Sequence, residues 1–363
     1  TNFAGDTSTL YHNSGDGIFE DRTFQSGLGK ITRFLGWGAA FFDFDNDGWS
    51  DILLCNGHVY PEVGDSDLES GYKQRKIVWR NLGNGRFEEI TALAGVGLKD
   101  QISVAASFAD LDNDGDPDLI ITTVRHGNHC YENLGGGRFR EITAEAGLAY
   151  SGHSSGVILF DYDRDGLLDV FLCNVGRYTS DDLGPGGFHR ALPDAFAGHM
   201  HPDRTEFSIL YHNLGHNRFE DVSSASGVRN PHWTGDGTFT DLNQDGFPDL
   251  YLANMQGQDQ VYLNDGGKRF LPRTSQFFPR TPWGAMGVKF LDYNNDGNLD
   301  ILLVGSKLAL YQGDGKGHFT DVTASTGLAN FTGHFLGCAI GDTDNDGFPD
   351  ILITGYQTGL LLH

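Results

Sequence analysis

Apolar and polar positions alternate along most of this chain in short runs, and acidic residues with glycine interrupt the alternation at regular intervals. Six segments share one form: FFDFDNDGWSDILL from Phe41, FADLDNDGDPDLII from Phe108, LFDYDRDGLLDVFL from Leu159, FTDLNQDGFPDLYL from Phe239, FLDYNNDGNLDILL from Phe290 and AIGDTDNDGFPDILI from Ala339. Each predicts a strand, an acidic loop and a second strand. A second form alternates with the first: LYHNSGDGIFEDRT from Leu10, VWRNLGNGRFEEIT from Val78, CYENLGGGRFREIT from Cys130, LYHNLGHNRFEDVS from Leu210, VYLNDGGKRFLPRT from Val261 and LYQGDGKGHFTDVT from Leu310. An aromatic or apolar pair, a Gly-rich turn and a β-branched run describe a hairpin. One copy of each form makes a four-stranded unit.

The acidic loops begin at Asp43, Asp110, Asp161, Asp241, Asp292 and Asp342, so successive starts lie 67, 51, 80, 51 and 50 residues apart. A four-stranded unit of about 50 residues repeated radially is a propeller blade, and the 3.6-residue periodicity of a helical solenoid is absent. The predicted class is therefore all-β, a β-propeller of four-stranded antiparallel blades that forms a single domain over residues 1–363. The two long spacings carry insertions at about 57–76 and 175–208, expected as loops on one face. The ends are uneven: residues 1–29 supply the second half of a unit, and residues 333–363 supply three strands of another, ending in GLLLH, which resembles the LYHN strands. Merging of the two ends gives six blades, and completion from outside the sequence gives seven; seven is the expectation.

Composition narrows the functional classes. The formal charge is -24, with 49 acidic against 25 basic residues. Such a field repels nucleic acid and anionic membrane surfaces and attracts cations. No run of about 18 apolar residues is present to span a bilayer as a helix. The sequence starts at Thr1 with no basic leader, which fits a processed form or a piece of a longer chain. Cys55, Cys130, Cys173 and Cys338 lie far apart in apolar runs and read as buried free thiols.

The acidic loops carry the clearest chemistry. Their spacing, D-x-[DN]-x-D-G-x-x-D, puts carboxylates or amides at positions 1, 3, 5 and 9. Ca²⁺ takes six to eight oxygen ligands, and alternate residues of a tight loop turn such oxygens inward while glycine allows the bend. The sets are Asp43, Asp45, Asp47 and Asp51; Asp110, Asp112, Asp114 and Asp118; Asp161, Asp163, Asp165 and Asp169; Asp241, Asn243, Asp245 and Asp249; Asp292, Asn294, Asp296 and Asp300; and Asp342, Asp344, Asp346 and Asp350. A backbone carbonyl at position 7 is expected to add to each. An EF-hand needs Glu at position 12, where this chain has Leu54, Ile121, Leu172, Leu252, Leu303 and Ile353. The expectation is about six Ca²⁺ ions that pin the loops, with scaffolding as their role.

At these residues the chain resembles the FG-GAP and VCBS repeat proteins, relatives of the integrin α-subunit propeller. LGWGAAFFDFDNDGWSDILLCNGHVYPEV from Leu35 and YKQRKIVWRNLGNGRFEEIT from Tyr72 look particularly like the bacterial subgroup that carries an ASPIC/UnbV region. The resemblance implies a secreted or surface-exposed propeller with calcium bound at positions 1, 3, 5 and 9. Two departures stand out: Asn replaces Asp at 243 and 294, and the hairpin at Phe270 reads FLPRT in place of F-x-D-V-T. The resemblance leaves the ligand open, since such propellers host adhesion, glycan binding and some lyase or dehydratase chemistry.

Ligand candidates follow from the inner strands. Eight residues before each loop stand Leu35, Ile102, His153, Trp233, Gly284 and His334, with His232 and Trp283 just before two of them. His153, Trp233, His334, Trp283 and His232 are therefore the candidates at the channel mouth, suited to stacking on sugars, to metal capture or to packing. The second insertion adds His199 and His201 with His189, Asp194, Asp203 and Glu206, an arrangement that suits a transition metal or a solvated loop. No P-loop, dinucleotide or nucleophile-elbow motif stands in a strand-to-helix setting. The favoured function is an extracytoplasmic module that binds or scaffolds a protein or glycan, because cytosolic calcium would underfill such loops. The alternatives are a carbohydrate lyase or dehydratase and an accessory subunit of a larger assembly.

Overall fold

Each acidic segment folds into two antiparallel strands joined at the loop, and after the first five the hairpin that follows adds a third and a fourth strand to the same sheet. The computed structural model describes residues 5–15, 17–58, 71–184, 188–195, 197–278, 281 and 284–363. An initial hairpin consists of β1 (Tyr11–Asn13) and β2 (Phe19–Asp21). Blade I contains β3 (Gly36–Phe42), β4 (Asp51–Asn56), β5 (Ile77–Asn81) and β6 (Phe87–Glu89). Blade II contains β7 (Ser103–Ala109), β8 (Asp118–Thr123), β9 (His129–Asn133) and β10 (Phe139–Glu141). Blade III opens with β11 (Ser154–Phe160) and β12 (Asp169–Asn174), makes a separate hairpin of β13 (Thr179–Leu183) and β14 (His189–Ala191), and closes with β15 (Ile209–Asn213) and β16 (Phe219–Asp221). Blade IV contains β17 (Trp233–Thr240), β18 (Asp249–Gln256), β19 (Gln260–Asn264) and β20 (Phe270–Pro272). Blade V contains β21 (Ala285–Leu291), β22 (Asp300–Gly305), β23 (Ala309–Gly313) and β24 (Phe319–Asp321), and blade VI has β25 (Phe335–Gly341), β26 (Asp350–Gly355) and β27 (Thr358–Leu362).

The hydrophobic core is divided among the blade interfaces. Leu53 and Val78 of blade I pack with Leu119 and Tyr131 of blade II, and the same alternation repeats as far as Leu302 and Leu310 of blade V against Ile351 and Ile353 of blade VI. Phe42 stacks on Phe108 at 4.0 Å, and Phe160 on Phe239 at 5.1 Å, so aromatic rings bridge neighbouring inner strands. The threonine or serine after each fourth strand has a local task. Thr91, Thr143, Ser223, Thr274 and Thr323 accept hydrogen bonds from the backbone N–H of Val78, Cys130, Leu210, Val261 and Leu310 at 2.9–3.0 Å, which fastens the end of each outer hairpin. Three of the four cysteines are buried and Cys338 is half-buried, and all are free thiols.

Blades are also stitched by a side chain. The amide Nδ2 of Asn133 donates to the carbonyl of Phe44 in the preceding blade at 2.9 Å, Asn213 to Leu111 at 2.8 Å and Asn264 to Tyr162 at 2.7 Å. Asn13 of the initial hairpin donates in the same manner to Thr343 of blade VI at 2.9 Å. The hairpin thus stands one step beyond blade VI, and its Leu10 packs with Leu28, Ile52 and Trp79 against blade I.

The structure corrects the expected blade number. There are six blades, five of four strands and one of three, with the initial hairpin as a two-stranded piece between blades VI and I. The two ends do not merge, because β27 already occupies the third-strand position of blade VI. Among the described residues the inner faces there are not sealed: Leu352 is 44% exposed, whereas its counterparts Phe171, Tyr251 and Leu302 are at 0%.

Asn213 is fully buried, bonds Leu111 and Leu168 through Nδ2, and accepts from Gly215 N–H. Asn213→Ala leaves those backbone groups unpaired, so the urea unfolding midpoint is expected to fall by the equivalent of about 2–3 kcal/mol. An unchanged midpoint would remove the stitch from the account of blade docking.

Candidate functional site

The six acidic loops share one backbone design. The first Asp accepts from the N–H groups of positions 5 and 6; Asp110 takes Asp114 N–H at 3.0 Å and Gly115 N–H at 2.9 Å. Position 4 is left-handed in every loop, at Asn46, Asn113, Arg164, Gln244, Asn295 and Asn345, with φ between 55° and 64°, and the glycine at position 6 is left-handed as well. Only that double reversal lets alternate side chains face one point. The ninth-position Asp is buried in all six loops. In loop II it accepts from Leu111 N–H at 3.2 Å and from Asn133 N–H at 2.9 Å, so it ties the loop to the third strand.

These carboxylates are crowded. Burial raises Asp51 to about 6, Asp118 to about 7 and Asp249 to about 6, while the N–H groups they accept from pull the other way. Asp45 and Asp112 are raised by burial and then by the neighbouring carboxylates of their own loops. Ligand atoms of Asp43, Asp45 and Asp51 lie within 4.8 Å of one another, as do those of Asp110, Asp112 and Asp114 and those of Asp161, Asp163 and Asp169. Asp45 Oδ1 and Asp112 Oδ1 are buried with no hydrogen-bond partner. An all-oxygen set with orphaned carboxylate atoms fits a hard divalent cation. Loops IV and V are relieved differently, since the Asn243 amide donates to Asp245 at 2.9 Å and the Asn294 amide to Asp296 at 3.0 Å.

The insertions leave the opposite ends of the strands, because they join second strands to third strands while the acidic loops join first to second. Residues 59–70 of the first insertion lie outside the described residues. At its base Lys76 is buried and donates to the carbonyls of Gln74, Gln101 and Asn56 at 2.8–3.1 Å; burial lowers it to about 7. The second insertion docks through two of the predicted ligand residues. His153 is 2% exposed, and its Nδ1 meets Glu206 while Nε2 meets Thr179, each at 2.8 Å. Trp233 is 3% exposed, and its indole lies against Gly176 and Gly198 so closely that a Cβ on either would fall about 2 Å from the ring.

The predicted ring therefore does not gather at an open mouth. His334 is exposed, His232 is half-buried with its pKa lowered by burial, and Trp283 lies outside the described residues. The side chain of His199 also lies outside the described atoms, while His201 is held by Asp194 at 2.7 Å. Sequence reasoning missed the anchoring roles of Glu206 and Lys76; the signal available for Lys76 was its place at the end of the basic run KQRK, directly before the apolar strand β5.

In the ion-free protein Asp51, Asp118 and Asp249 have folded values above the 3.8 of an ordinary Asp. Burial of their charge therefore opposes folding in full above about pH 7, and that opposition is relieved as pH falls towards 4. With chelator present, the thermal midpoint is expected to rise between about pH 7.5 and 5; with calcium the rise disappears, because protonation competes with the ion. A midpoint that falls steadily on acidification in chelator would contradict the crowding of these loops.

The FG-GAP-like repeat model matches residues 64–121, 110–172, 241–303 and 303–353, together more than half of the chain. Cartilage acidic protein 1 of Mus musculus is 25% identical over 323 residues, covering 76% of this chain and 48% of that protein. The Homo sapiens protein of the same name is 28% identical over 234 residues, covering 60% of this chain and 32% of that one. The chain thus spans about half or less of the length of these relatives. A lectin of Agrocybe aegerita, described as recognising non-reducing terminal N-acetylglucosamine, superposes with a TM-score of 0.57 at 16% identity, covering 99% of this chain and 85% of that one, which shows a shared fold alone. The matched repeats take in the acidic loops of blades II to VI, and the chain belongs to the FG-GAP-like repeat family.

Proposed function

We propose that this protein is an extracytoplasmic calcium-pinned propeller that recognises a protein or glycan through the face formed by its two insertions. The observation that carries the calcium part is the set of orphaned, buried carboxylate oxygens in loops I and II, which need a cation of the oxygen-seeking kind. Cytosolic calcium would leave such loops underfilled, which favours a site outside the cytoplasm. Within the family, the segments at 35–63 and 72–91 favour the ASPIC/UnbV-associated subgroup.

Recognition is assigned to the insertion face because it carries exposed apolar side chains on a docked platform: Leu183 is 57% exposed, Met200 69% and Phe207 39%. Phe207 also carries the guanidinium of Arg229 over its ring at 4.5 Å, a surface suited to stacking or to a mixed apolar and polar partner. The lyase or dehydratase reading loses its leading acid–base group, since His153 is buried with both ring nitrogens engaged. Among the described residues no helix is long and apolar enough to cross a membrane.

Elemental analysis of the purified chain is expected to find about six calcium ions, and chelation is expected to lower the thermal midpoint markedly, by more than about 10 °C. A calcium-free sample with an unchanged midpoint would end the calcium reading. For recognition, a panel of immobilised oligosaccharides and extracellular proteins is probed with wild type and with Leu183→Asp/Met200→Asp. Capture should be lost in the double variant at an unchanged midpoint, and capture that survives the change moves the site elsewhere.

A further inference from the structure

The base of the insertion face holds a cavity of about 50 Å³ where three separate parts of the chain meet. Tyr72 and Lys73 come from the end of the first insertion, Arg125 and His126 from the turn between β8 and β9, and Phe188 and His189 from the second insertion at the start of β14. A space of this size takes about three or four waters, or the head of a single carboxylate group. Lys73, Arg125, His126 and His189 are cationic or can be protonated, in a protein whose formal charge is -24. The cavity is thus a local reversal of the charge of the molecule.

The donors of the cavity are unevenly used. Arg125 has a left-handed backbone, with φ at 65°, and its guanidinium fastens β13 by donating to Thr179 Oγ1 at 3.0 Å, to the Ser180 carbonyl at 3.2 Å and to the exposed Asp181 carboxylate. His126 Nδ1 donates to the Val124 carbonyl at 2.8 Å, which fixes the ring and leaves Nε2 without a bond among the described residues. His189 Nδ1 is buried and has no hydrogen-bond partner among the described residues. Burial lowers the pKa of His126, the bond to Val124 opposes this, and the charges of Lys73, His189 and Lys76 lower it again. Repulsion among these groups is relieved by an anion placed between them and aggravated by a metal ion.

We propose that this cavity receives the carboxylate of an acidic sugar, held by Lys73 and His189. The inference rests on the recognition reading of the insertion face and goes beyond it in naming the charge and class of the ligand. The register of β13 and β14 pairs Leu183 with His189, so the cavity adjoins one of the exposed apolar side chains assigned to recognition. Ammonium and imidazolium donors give a carboxylate short, charge-assisted bonds, and the orphaned Nδ1 supplies one of them. Tyr72 is half-buried and set edge-to-face with Phe188 at 5.9 Å, so an aromatic ring is held beside the cations. A carboxylate for the cations and a ring face for the aromatic are what a uronate-type sugar offers together. The charge of the whole chain decides against a polyanion: the surrounding field repels a run of acidic groups, whereas a single charge is matched by the cations around it.

The test titrates the full chain with methyl glucuronide, with the neutral methyl glucoside and with an acetylated glutamate amide, each followed by ligand-observed NMR. Wild type is expected to bind the glucuronide at least about tenfold more tightly than either of the others. Lys73→Gln and His189→Gln are each expected to weaken the glucuronide about tenfold, the loss that follows removal of one charge-assisted bond, at an unchanged thermal midpoint. Lys73 is exposed, so its replacement leaves the packing intact even if the change at His189 disturbs it. A glucuronide bound no better than the glucoside, or indifferent to both substitutions, would overturn the proposal. Equal binding of the glutamate amide would overturn the assignment to a sugar. Panel capture that depends on Leu183 and Met200, with the glucuronide indifferent to Lys73 and His189, sinks this inference alone; a wild type that captures nothing on the panel sinks the reading beneath it.

Discussion

A buried carboxylate at the start of each second strand holds the propeller blades together. Asp118 receives the N–H of Leu111 from the loop and the N–H of Asn133 from the third strand; Asp249 does the same with Leu242 and Asn264. One side chain therefore sets the loop, the register of the second strand and the end of the third strand. Asn133 and Asn264, whose N–H groups it fixes, then carry the next bond across to the preceding blade. The arrangement is costly in isolation, because a buried carboxylate beside others is pushed towards its neutral form. A divalent cation at the mouth of the loop, as proposed, would offset that cost for the whole group and allow an acidic chain of this composition to carry such sites at every blade.

Placing the charge at one end of the strands leaves the other end free for different chemistry. The insertion face uses fixed neutral and paired groups: a lysine capped by three carbonyls, a histidine held between a glutamate and a threonine, and an indole between two glycines. These contacts anchor the insertion without calcium, so the shape of the second insertion and the state of the loops are set by separate interactions. Rigid anchoring with exposed tips such as Met200 is the arrangement expected of a binding loop on a scaffold.

The repeat, the four-stranded blade and the glycine bend of the loop were legible in the sequence because each depends on local spacing: glycine at position 6, alternate carboxylates and a turn between short apolar runs. His153 and Trp233 were placed at the right ends of their strands, but the sequence could not show that Gly176, Gly198 and Glu206 of a distant insertion fold over them. Long-range covering of this kind leaves no periodic trace. The blade number failed for a related reason. β27 resembles LYHN in pattern, yet only its pairing with β26 and the bond from Asn13 to Thr343 separate a third strand of blade VI from the start of another unit. The H-x-H pair at 199 and 201 drew attention as a nitrogen-rich motif, but His201 is taken up by Asp194 of the same insertion, a local pairing that the spacing alone does not show.

Repetition of a loop with a variable neighbour has a consequence for how the ring behaves as a whole. At the carboxylate positions of the loop, 1, 3, 5 and 9, the six copies vary only between Asp and Asn, at 243 and 294. Each Asn donates to the position-5 carboxylate and removes one charge, and such a loop is less dependent on an ion. The penultimate residue of the third strand is free of that constraint and is Arg80, Glu132, His212, Leu263 and Gln312 in blades I to V. On the proposed calcium reading, ion dependence would be graded from blade to blade, while the bonds made by the buried carboxylate stay the same. Partial loss of metal would then loosen blades I to III and VI, whose loops carry four carboxylates, before blades IV and V, whose amides already neutralise part of the repulsion. The second insertion leaves blade III, so the platform proposed for recognition would stand on one of the blades that depend most on an ion.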